Sequence, residues 1–247
     1  MQLELWQWAA GALGAFLAGL SKTGLPGLGS LNVALFALAF PLRESVGTVL
    51  IILICADLVA IAAYRRDASW THLWKLFPWA AVGIVLGYLT LGRIDESGMR
   101  RLIGGILFIL STLQLVRSRR PANPGDEAPP ASRLVASLTG ITAGFTTMAA
   151  NAGGPVMTLY LLAMRVPKIA FVGTTVWYFF LLNLFKLPFS ASLGLINLSN
   201  LGVSLILGLV AMLGATIGRP IVERLNQRTF ELIALALTFV AALVMLG

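Results

Sequence analysis

Apolar stretches nearly long enough to cross a bilayer as helix fill most of this 247-residue chain, and they leave few folds open to it. They cover residues 5–20, 46–64, 76–91, 102–116, 134–148, 169–187, 201–217 and 230–246. Roughly 20 apolar residues span the hydrocarbon core. Only 11% of the residues are charged, where a soluble domain carries about 25%. In lipid a backbone can satisfy its polar groups only as helix or as closed barrel. The runs show no alternation of period two, which leaves an all-α integral membrane protein. Two shorter runs, 31–40 and 156–164, are half the length of the rest. At about 1.5 Å per residue such a helix crosses half a bilayer.

The formal net charge of +8 does not point to nucleic acid, because the basic residues occupy short loops between apolar runs. That placement sets membrane orientation. The single cysteine, Cys55, excludes an internal disulfide and a multi-cysteine metal site. With one histidine, His72, and no metal motif, nothing calls for a metal, a cofactor or a catalytic centre. His72 and the tryptophans Trp70, Trp74 and Trp79 share one loop region and read as an interfacial belt. Met1-Gln-Leu-Glu lacks the positive start of a signal peptide, so 5–20 is expected to stay in the mature chain.

The halves align at an offset of 126, with Gly14 on Gly140, Pro41 on Pro167, Gly47-Thr48 on Gly173-Thr174 and Asp57 on Asn183. Five residues inserted later bring Gly83 and Gly87 onto Gly214 and Gly218. Residues 1–117 form the first repeat, 118–133 a polar linker and 134–247 the second. Each repeat reads as long, short, long, long, long. If the first two pieces form a hairpin, one membrane face receives 12 basic residues and the other four, with Lys22 and Lys186 set aside. If they form a single crossing, the split is seven against nine. The positive-inside rule favours the hairpin. The fold expected is thus two inverted repeats, each a broken helical hairpin plus three transmembrane helices. The linker is then cytoplasmic and both termini periplasmic.

Thr23-Gly-Leu-Pro-Gly-Leu-Gly-Ser30 and Asn151-Ala-Gly-Gly-Pro155 interrupt matching places of the two halves. Paired broken segments mark substrate sites in transporters, although small residues also serve plain helix packing. Ser30 and Asn151 are N-cap types, and two half-helix N-termini meeting near the midplane attract an anion. Lys22 adds a full charge, unless it reaches out to an interface. Thr23, Gly24, Gly27, Gly29 and Ser30 on the first break, and Thr147, Asn151, Gly153 and Gly154 on the second, are candidate substrate contacts. Thr48 and Thr174, opening the next helices, join them, and Thr146 flanks the second break. Asp57 lies well inside an apolar run, where a charge costs at least about 2.5 kcal/mol. Three roles stay open for it: a pair with Lys186, a proton-coupling site, or the lining of an aqueous vestibule. Asn183 and Lys186, one turn apart, complete the pathway candidates.

A Gly/Pro break, a half-length helix, a proline and then Gly-Thr opening the next helix occur twice in this chain. The pattern is clearest at Asn151-Ala-Gly-Gly-Pro155, Pro167 and Gly173-Thr174, and it resembles the sulfite exporter TauE/SafE family across nearly the whole sequence. The first break departs from the family's run of adjacent glycines. The resemblance implies a bacterial inner-membrane transporter of sulfite or organosulfonates. Its partners would be a small anion and the lipid bilayer, with protons as an optional coupling ion. An anion channel using the same paired tips is the alternative.

Overall fold

The structure is a computed structural model that describes residues 4–25, 28–29, 32, 35–36, 39–40, 42–91, 105, 108–109, 112, 132–196 and 198–246. Among these residues the regular elements are helices. They are α1 (Leu5–Thr23), α2 (Leu42–Tyr64), α3 (Trp70–Thr90), α4 (Arg133–Ala150), α5 (Gly153–Ala163), α6 (Lys168–Ser192), α7 (Leu198–Arg224) and α8 (Gln227–Leu246). Four segments, Val46–Tyr64, Trp70–Thr90, Lys168–Ser192 and Leu201–Arg224, are long and apolar enough to cross a membrane. The helix α5 has 11 residues, about 16 Å at 1.5 Å per residue. The linker expected at 118–133 lies outside the described residues except for its end at Ser132–Arg133. So do Gly27 and Ser30 of the first break.

Both broken segments fold back on themselves. Gln7 Nε2 donates to the carbonyl of Ala39 at 2.8 Å, and Gly29 N to Ser21 Oγ at 3.0 Å. Gly29 thus lies beside the end of α1 and Ala39 beside its start, so the chain between them has turned back along α1. In the second half, Gly153 returns beside Ala143 and Thr147 of α4. Each break is thus the turn of a hairpin. Asn151 sits at the turn with φ 54° and ψ 24°. That left-handed conformation costs most residues about 1–2 kcal/mol, and Asn tolerates it because its short polar side chain bonds locally.

The helices pair across the two halves. The helix α1 packs along α7, and α4 along α3, with glycines letting the backbones meet. A methyl on Gly19 would stand 1.8 Å from the Ala211 carbonyl oxygen, and one on Gly144 2.0 Å from that of Ala80. From the other side, Gly214 faces Phe16 and Leu20, while Gly83 faces Ile141 and Phe145. Each contact in one pair has its counterpart in the other. Matching Gly19 to Gly144 requires an offset of 125 within the first helix of each half, one residue less than the 126 read from the sequence. Gly14 and Gly140 are therefore not equivalent. Gly14 faces Phe36 and Asn32 of its own hairpin, and Gly140 the backbone of α3. Glycine identity misled the alignment, because each helix carries glycines on more than one face.

The helices α2 and α6 cross antiparallel. Gly47 meets Leu195, Asp57 bonds Asn183, and Gly173 meets Asp67 and Ala68. Basic residues gather at one end of the bundle. Arg219 bonds Asp67 beyond α2, and Lys168 caps the end of α7 through the carbonyls of Val222, Glu223 and Leu225. Leu205, Leu209, Leu213 and Ile217 on the outer side of α7 are each about half exposed or more. In water such a stripe would be an association liability. In lipid it is an ordinary outer surface.

Candidate functional site

The two hairpins and the α2/α6 crossing border a partly open cavity of about 80 Å³. A cavity needs at least about 10–15 Å³ to hold one water, so the space suits a few waters or one small oxyanion. Ser21, Lys22, Gly29 and Asn32 line it from the first hairpin, and Thr147, Asn151, Gly154 and Thr158 from the second. The α6 helix contributes Thr175, Phe179 and Asn183. Those three recur every four residues, one face of a helix.

Behind this lining lies a buried charge network. Asp57, 0% exposed, holds Lys22 Nζ at 2.7 Å through Oδ1. Its Oδ2 accepts from Asn183 Nδ2 at 2.7 Å. Lys22 also stands over the Phe179 ring, 5.3 Å from the centroid. Such a face attracts a cation electrostatically. Lys186, 1% exposed, donates to the carbonyl of Thr147 at 2.9 Å and to Asn151 Oδ1. Asn151 in turn donates to the Val46 carbonyl at 3.2 Å. The second break is thus tied to α2 and α6 through its own left-handed residue. Burial of these charges is tolerable only because each ammonium and carboxylate oxygen has a close partner.

Several expectations change. Asp57 pairs with Lys22 and Asn183, not with Lys186, because the end of α1 reaches the α2/α6 crossing and delivers its lysine there. Lys22 accordingly does not extend to an interface. Asn151 is not the N-cap of the returning half-helix. It closes α4, and Ala152 precedes α5. Of the expected contacts, Lys22, Gly29, Thr147, Asn151, Gly154 and Asn183 border the cavity. Thr23 instead donates to the Ala215 carbonyl at 2.7 Å and accepts Tyr64 Oη at its own carbonyl, inside the α1/α7 contact. Gly24 faces the backbone of Gly218, and Thr48 is buried outside the lining. Thr174 accepts from the Ser69 amide at 2.8 Å, so its neighbour Thr175 holds the cavity position. Gly153 presses on Ala143, Thr147 and Phe179. Thr146 bonds its own helix. His72 Nδ1 meets the Tyr160 hydroxyl at 3.0 Å, away from the cavity.

Sequence reasoning passed over Ser21, Asn32, Thr158, Thr175 and Phe179. A signal existed for three of them. Stepping four residues along a helix from Gly154 reaches Thr158, and stepping back from Asn183 reaches Phe179 and then Thr175.

Residues 11–245 match the family described as Sulfite exporter TauE/SafE. The chain belongs to the sulfite exporter TauE/SafE family. It is therefore a multi-pass membrane transport protein, and Gly29 of the first break and Asn151 and Gly154 of the second line its cavity. No curated protein and no solved structure matches it.

Proposed function

We propose that this TauE/SafE protein exports a small sulfur oxyanion, sulfite or a short organosulfonate, across the bacterial inner membrane by alternating access. The observation that carries the reading is the cavity itself. Two broken hairpins from opposite halves line one small space whose mostly apolar wall carries a lysine ammonium. Anions moving outward against a negative interior gain about 2.3 kcal/mol per elementary charge per 100 mV, so export needs no further driving force.

The contacts also support inverted repeats. Asp57 and Asn183, mates at an offset of 126, bond each other where α2 and α6 cross antiparallel. Equivalent residues touch only on their symmetry axis. A two-fold axis relating antiparallel helices runs perpendicular to them, hence in the membrane plane. Such repeats rock about a midplane site in many transporters. The basic end of the bundle would face the cytoplasm and both termini the periplasm. Asp57 and Lys186 belong to the pathway in this reading, with Asp57 held by Lys22 at rest.

The test is flux of labelled sulfite in proteoliposomes. Lys22→Ala should lower transport at least tenfold, and unchanged transport removes Lys22 from the substrate site. Saturable, counter-transported flux supports a carrier. Single-channel currents would replace that mechanism with an anion channel through the same tips.

A further inference from the structure

The charges around the cavity do not sum to what a general anion site would need. Among the described residues lining it, Lys22 is the only charged one. Among the described residues, the charged groups next behind it are Asp57 and Lys186, each within electrostatic reach of the other and of Lys22. Lys22 and Asp57 cancel as a 2.7 Å ion pair. Lys186 has only the uncharged oxygens of Thr147 and Asn151 as acceptors. With Lys186 protonated, the buried set among the described residues carries one uncompensated positive charge.

A low-dielectric site amplifies any mismatch between its own charge and that of its ligand. One bound negative charge brings the cavity to neutrality. Two would leave an unpaired negative charge buried among Thr147, Thr158, Thr175 and Phe179, the last an apolar ring. The presence of Asp57 is otherwise puzzling, since a carboxylate beside an anion site opposes binding. It makes sense as the group that lowers the site from two positive charges to one.

We infer that the cavity selects singly charged oxyanions over doubly charged ones of the same shape, with Asp57 as the residue that sets this preference. The inference rests on the anion-transport reading above and narrows it. In chemical terms the substrate is a hydrogensulfite-like or sulfonate monoanion, not a sulfate- or thiosulfate-like dianion.

Methanesulfonate and sulfate test it, being tetrahedral ions of similar size that differ by one charge. Each is titrated at constant ionic strength against the full-length protein in lipid nanodiscs, with the shift in melting temperature as readout. The wild-type protein should bind methanesulfonate at least tenfold more tightly than sulfate. Asp57→Asn, which keeps a polar partner for Asn183, should shrink or reverse that ratio, and Lys186→Met should weaken methanesulfonate binding at least tenfold. Sulfate binding as tight as methanesulfonate overturns the charge selection and leaves the anion reading standing. Binding of neither ion overturns both. A tenfold preference that survives intact in Asp57→Asn removes Asp57 from its assigned role. Where Asp57→Asn fails to fold, the wild-type ratio alone decides the selection.

Discussion

Removing Lys22 should destabilise this protein more than removing Asp57, even though the two form one ion pair. At 2.7 Å and an effective permittivity near 20, the attraction is about 6 kcal/mol before desolvation is subtracted. What remains after each single substitution differs. Lys22→Met strands a carboxylate that is 0% exposed, with only the Asn183 amide to hold it. Leaving a buried charge unpaired costs about 3–5 kcal/mol. Asp57→Asn strands a lysine that borders the cavity and is 10% exposed, with the Phe179 ring beside it. Solvent in the cavity and the ring face together compensate part of that charge, so about 1–3 kcal/mol is expected, the usual range for an unsatisfied polar group. The double variant removes both members of the pair and should recover at least about 2 kcal/mol relative to the sum of the singles. The assay is thermal unfolding in detergent of the four proteins of the cycle. For a chain of this size 1 kcal/mol corresponds to about 2–4 °C, so Lys22→Met should lower the transition by about 6–20 °C. Additive losses, or a larger loss for Asp57→Asn, would refute the pairing argument.

Neighbouring glycines at the second break should separate folding from transport. A methyl on Gly153 would stand 2.7 Å from the Ala143 carbonyl oxygen, whereas one on Gly154, at the cavity wall, meets nothing within 4 Å. Gly153→Ala should therefore cost about 1–3 kcal/mol of stability as an overpacked site. Gly154→Ala should keep the melting temperature within about 2 °C yet reduce sulfite flux, and equal melting temperatures for both variants would contradict the described packing. Orientation is checked by a reporter on the C-terminus, which should be active only in the periplasm.

Helix content and the pairing of the breaks were legible because they depend on local composition. A run of apolar residues forces helix in lipid whatever its neighbours are, and Gly-Gly-Pro interrupts it wherever it falls. The individual partners were less legible, because they depend on which face of a helix meets which neighbour. Thr174 and Thr175 are equivalent as sequence, yet a rotation of about 100° between consecutive helical residues sends one to Ser69 and the other to the cavity. From the sequence Asp57 was matched only with Lys186, whereas the structure pairs it with Lys22. The packing of α1 along α7 brings Lys22 to Asp57, and it rests on glycine contacts such as Gly19 on Ala211 that no single helix contains.

Under the inverted-repeat reading, the scaffold is two-fold while the chemistry it carries is not. On the axis, Asp57 meets its own mate. An aspartate in both copies would set two carboxylates at hydrogen-bond distance and force them to share a proton. Asparagine at 183 turns that repulsion into a 2.7 Å hydrogen bond. The lysines break the symmetry too. At the offset of 125 that the glycine contacts define, Lys22 corresponds to Thr147, whose carbonyl accepts from Lys186. Lys186 at an offset of 126 corresponds to Ala60. The second half thus supplies a cation to the same cavity from a different helix. A two-fold cavity with identical halves would hold an even number of charges and could not be left at a single positive one. Divergence of the halves at 57/183, 22/147 and 60/186 is what allows an odd charge, and an odd charge is what a monoanion requires.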